Sequence, residues 1–151
     1  MKIDNNYEAK SLAQLNKKYQ PPKEVDFPSG LIMRHTALLA KPIGAYTIED
    51  LRLMIGQNTG LESLMPKAIE VLEKDVLAEG DYYEGDLLKA VLTSDKNFWL
   101  KHGSLCRELI EVIESQLQYL LDYPIDDKAK MELIEAYQKF KMRNQNYGVP
   151  A

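Results

Sequence analysis

The sequence predicts an all-α fold: a single compact domain of about six helices with an extended N-terminal arm. Three observations predict it. Apolar residues recur at helical spacing along most of the chain, helix start and stop signals alternate with them, and no stretch alternates apolar and polar residues as a half-buried strand would. The 151 residues fit one domain, and 45% hydrophobic residues are enough to bury a core.

Residues 1–30 read as an arm and linker rather than a core element. A short helix fits residues 7–19, after which Pro21, Pro22, Pro28 and Gly30 impose an extended or turning path. The helical domain is assigned to residues 31–143. Its first helix carries Leu31, Ile32, Met33, Ala37, Leu38 and Leu39 and stops before Lys41-Pro42. Thr47-Ile48-Glu49-Asp50 reads as a capping box that opens a helix ending near Gly56 or Asn58. The next helix should begin near Ser63, because Pro66 is tolerated best in a first turn, and it buries Leu64, Met65, Ala68, Ile69 and Leu72.

A loop then precedes the helix DLLKAVL, led in by Asp81 or Asp86. Ser94 or Asp95 caps a short segment holding Phe98 and Trp99, which ends at His102-Gly103. The run LCRELIEVIESQLQYLL predicts one helix up to Pro124, with Leu105, Leu109, Val112, Ile113, Leu117 and Leu120 on its apolar face. A last helix restarts at Asp126 or Asp127 and carries Met131, Leu133, Ile134, Tyr137 and Phe140. Residues 144–151 form a tail.

Composition excludes several classes of function. No apolar run approaches the roughly 20 residues needed to span a bilayer, and MKIDNNYEAK lacks the apolar stretch of a secretory signal. A cytoplasmic protein with no membrane partner is expected. The net charge of −4 is uneven: residues 44–95 hold four Lys/Arg against eleven Asp/Glu, while residues 1–43 hold seven against four. An acidic middle third argues against direct binding of nucleic acid and for a basic protein or a cation. The one cysteine, Cys106, makes no internal disulfide and reads as an inert, partly buried thiol.

The acidic excess centres on AEGDYYEGDLL, residues 78–88, where Glu79-Gly80-Asp81 and Glu84-Gly85-Asp86 flank Tyr82-Tyr83. A calcium loop starting at Asp75 would put Gly80 at the sixth position and Asp86 at the twelfth. It fails at the third, where Leu77 cannot ligate. His35, His102 and Cys106 match no zinc spacing, and neither a nucleophile elbow nor a phosphate loop is present. Acid/base catalysis would need one desolvated carboxylate, which a glycine-flanked polar loop does not suggest. Recognition is the reading that remains, with Tyr82 and Tyr83 as anchors among Glu79, Asp81, Glu84 and Asp86. A bland role also stays open, in which Asp81 or Asp86 only caps a helix and Gly85 only turns the chain.

The order EDLRLMIGQ (49–57), Gly60-Leu61 with Leu64 and Pro66, LAEGDYYEGDLL (77–88) and Phe98-Trp99 resembles the immunity proteins of bacterial contact-dependent growth inhibition systems, of the CdiI type. The similarity covers residues 31 to about 100. Glu84 stands where that pattern leads one to expect proline, which makes this loop more acidic. The resemblance implies a non-enzymatic cytoplasmic protein, without a cofactor, that neutralises the cognate C-terminal toxin domain of a surface-displayed effector, the toxin being a nuclease with a basic surface. It does not decide whether 79–86 touches the toxin or holds the fold while specificity lies in the helices after residue 104. A metal- or carboxylate-dependent enzyme using the acidic loop is the alternative.

Overall fold

The computed structural model describes residues 7–22 and 29–144; the linker expectation at 23–28 and the tail beyond Asn144 fall outside them. The all-α expectation holds. Among the described residues there is no strand, and nine helices follow in order: α1 (Leu12–Leu15), α2 (Gly30–Ala40), α3 (Ile48–Gly56), α4 (Leu61–Lys74), α5 (Asp86–Leu92), α6 (Lys96–Lys101), α7 (Gly103–Ser115), α8 (Leu117–Asp122) and α9 (Asp127–Arg143). Six of them have seven residues or more.

The caps explain many of the boundaries. Thr47 accepts from the Asp50 amide while the Asp50 carboxylate accepts from the Thr47 amide, so the capping box before α3 forms as read. Asp95 caps α6 and Asp126 caps α9. The core is one continuous cluster in which α3 packs on α5 and α4 on α7. At its centre Trp99 makes edge contacts with Phe98 and Phe140, centroids 5.1 and 5.0 Å apart, and its indole N–H donates to Ser94 Oγ at 2.9 Å.

Four details differ from the sequence expectation. The arm belongs to the core: Leu12 is fully buried against Gly60, and the Tyr7 hydroxyl donates to the Ser63 carbonyl. Helix α4 starts at Leu61, which puts Pro66 in its second turn; the missing amide leaves the Glu62 carbonyl at an exposed position, where water can serve it. The helix drawn through 105–123 breaks at Gln116, whose side chain leaves its own helix to cap α4, accepting from the Val76 amide at 2.7 Å and donating to the Leu72 carbonyl at 2.7 Å. Met131, expected on the apolar face of α9, is 71% exposed, while Ala136 lies buried beside Leu133 and Tyr137 on that helix.

Candidate functional site

The acidic loop is a folded structure built around one inward carboxylate. After α4 ends, Asp75 Oδ1 accepts from the Leu77 amide at 2.9 Å, and Val76, Leu77 and Ala78 run through the core. Glu79 and Glu84 then pair as an isolated antiparallel bridge, and the Gly85 amide donates to the Leu77 carbonyl at 3.1 Å. Residues 80–83 thus form the tip of a small closed loop.

Asp86 fills that loop from below. It is only 4% exposed, and its carboxylate accepts from the amides of Gly80 at 2.6 Å, Tyr82 at 3.0 Å and Tyr83 at 3.4 Å. Charge-assisted bonds of this kind are shorter and stronger than neutral ones. Asp86 occupies the first turn of α5 rather than the cap position, which Gly85 takes at φ +92°. A side chain on Gly85 would also run into Leu133 of α9, at 2.6 Å from its Cβ. Gly80 is required for a different reason, since a Cβ there would sit 2.7 Å from Glu49 Oε1 and 3.0 Å from Asp86 Oδ2.

Helix α3 clamps the loop from the side. Glu49 Oε1 accepts from the Asp81 amide at 2.9 Å, and both Glu49 oxygens take Arg52 in a fork, each at 2.6 Å. The Arg52 guanidinium holds the Glu49 carboxyl below the usual carboxylate range. Arg52 also approaches Asp86 Oδ2 at 4.0 Å and lies 4.4 Å from the Tyr82 ring centre, beneath one face of that ring. In the sequence EDLR is part of a recognisable pattern, and its purpose appears only in the fold. The spacing of three between Glu49 and Arg52, which puts both on one helix face, is the signal that was available.

The six residues singled out at 79–86 therefore separate. Tyr82 is 65% exposed, and Glu79, Asp81 and Tyr83 are also exposed; Glu84 is half-buried, and Asp86 is interior. Burial and then the Asp86 charge push the Tyr83 hydroxyl above its ordinary pKa, so it remains a donor at neutral pH. A groove of ≈ 410 Å³ lies beside the loop between α2 and α3, floored by Leu38 and Leu53 and rimmed by Arg34, Lys41, Asp50 and Asp81. Its charges are partly paired within the molecule, Lys41 to Asp50 at 2.6 Å.

The geometry bears on catalysis and metals as well. Asp86 faces three N–H donors, an arrangement that serves an anion and is the reverse of a cation cage. Among the described residues no group of three or more His, Cys, Asp and Glu side chains is placed to hold a metal ion. His35 shares a hydrogen bond with Thr59 Oγ1 at 2.9 Å, and His102 stacks on Phe98. Cys106 is buried, and that burial pushes its thiol up to about 11. No helix of the described residues is long and apolar enough to cross a membrane.

Set against known proteins, residues 14–109 match the family described as CDI immunity proteins. That span takes in the capping box, the Glu49–Arg52 clamp and the whole acidic loop. No curated protein and no solved structure matches.

Proposed function

The chain belongs to the family of CDI immunity proteins, and from that premise we propose that it binds and neutralises one cognate toxin domain, carried at the C-terminus of a contact-dependent growth inhibition effector, in the cytoplasm of the cell that makes both. The observation that carries this reading is the family match across 96 residues, 14–109, most of the helical domain. Inhibition is by occupation, with no chemistry of its own and no cofactor. The clamp and the inward Asp86 support this, since the loop's best-placed carboxylate is committed to backbone amides.

The loop serves as a pre-organised contact surface. Glu49, Arg52 and Asp86 fix its backbone, so Glu79, Asp81, Tyr82, Tyr83 and Glu84 meet the toxin with little ordering cost, while Asp86 supports them from within. The toxin domain is basic, and a nuclease fits best, because an acidic surface covers the site that a polyanionic substrate would use. Complementary charge mainly speeds encounter, so association should slow steeply as salt rises.

Co-expression with the toxin domain encoded immediately upstream of the gene tests the proposal. Survival of the cells together with co-purification of the two chains is the expected result, and the purified chain should stop nucleic-acid cleavage at a 1:1 ratio. Cell death despite soluble expression of both chains would refute it.

A further inference from the structure

We propose that the contact surface extends beyond the acidic loop onto helix α8, and that the tyrosine and carboxylate face they share takes arginine side chains of the toxin domain. This rests on the immunity reading and adds to it a second element and the chemistry of the partner.

The break at Gln116 sets α8 off as a separate six-residue helix, and only Leu120 of it is buried. Tyr119 is 44% exposed and Leu121 42%, positions at which the fold itself has no need of large apolar groups. Tyr119 and Tyr123 meet edge to face, centroids 5.4 Å apart. Their hydroxyls turn toward the loop: Tyr119 donates to Asp75 Oδ1 at 3.4 Å, and the Glu84 carboxylate lies against Tyr123. The stem of the loop and α8 thus form one continuous surface.

Its chemistry suits a guanidinium. A planar cation stacks on a tyrosine ring and at the same time forks onto a carboxylate, which a lysine ammonium does less well. The molecule already makes this arrangement internally, with Arg52 forked on Glu49 at 2.6 Å and lying 4.4 Å from the Tyr82 ring centre. Beside α8 the Tyr119 and Tyr123 rings stand next to the Asp75 and Glu84 carboxylates, and among the described residues no cation lies over either ring. Lys130, which reaches this helix, donates to the Leu121 carbonyl at 2.8 Å. Tyrosines at an interface centre, ringed by charge, are the usual places where binding energy concentrates.

The test titrates the upstream-encoded toxin domain into the full chain and into three variants. Tyr119→Ala with Tyr123→Ala should weaken binding by about 100-fold or more, Tyr119→Phe with Tyr123→Phe should stay within about 5-fold, and Met142→Ala at the far end of α9 should change nothing. Hydrogen exchange on the wild-type complex gives a readout that needs no variant, with protection expected at residues 79–84 and 117–123 together. Unchanged affinity of the alanine pair, or protection confined to the loop, would overturn the proposal while leaving the immunity reading intact. Loss of self-association by the alanine pair at unchanged toxin affinity would assign the face to a second copy of this chain, and would also overturn it. If the wild-type chain neither binds the toxin nor rescues cells, the immunity reading fails and the shared face falls with it.

Discussion

Asp86→Asn puts an amide group where a carboxylate accepts from three backbone amides, and it removes the charge that strengthens those bonds. Hydrogen bonds to a charged group contribute about 1.5 to 3 kcal/mol, so a loss of stability of about that size is expected in urea unfolding. Gly85→Ala should cost about 1 to 3 kcal/mol through its φ of +92° alone, and the contact with Leu133 adds to it. Tyr82→Ala should behave oppositely: an exposed ring over Arg52 contributes about 0.5 to 1 kcal/mol to folding, so its main loss should appear in toxin binding. The sequence singles these residues out without separating their roles. Nothing in a string of letters distinguishes an exposed aspartate such as Asp81 from one five residues along, Asp86, that returns to satisfy the loop's own amides.

Among the elements, Gln116 joins two helices that the sequence treats as unrelated. Its amide caps the end of α4 through Val76, Leu72 and Glu73, and α7 ends where that reach begins. Gln116→Ala should cost about 0.5 to 2 kcal/mol, the range for a lost cap, and a melt monitored by circular dichroism reads it. The break is not legible because its cause lies forty residues or more away, while the local pattern of Leu117 and Leu120 continues the helical period. The capping box at Thr47 was legible for the opposite reason, since all of its partners lie within four residues. The arm's role in the core was hidden in the same way as Gln116, because Leu12 is buried only once Gly60 turns at φ +67° beneath it.

For the whole molecule, ionisation sets a stability window bounded at both ends. Arg52 lowers the folded-state pKa of Glu49, and Lys141 with Tyr137 lowers that of Glu114. These contributions are complete above the ordinary carboxylate pKa and disappear as pH falls through the depressed values, where the unfolded chain binds more protons. Acid titration of the unfolding free energy should therefore slope downward below about pH 4.5, and Glu49→Gln should flatten that slope. Burial raises the hydroxyl pKa values of Tyr7, Tyr46 and Tyr137 above 10.0, so stability should also fall as pH rises past that value, where only the unfolded tyrosines ionise readily. The overall architecture was readable because helical period and punctuation are local signals repeated along the chain. The pairing of the acidic loop with α8 is a property of the packed molecule alone.

Calorimetric titration of the purified chain with the purified toxin domain, at low and at high salt, tests the central claim most directly. A 1:1 complex, with an affinity that weakens as salt rises, is the predicted result. Absence of binding at either salt concentration, with both proteins folded, would contradict it.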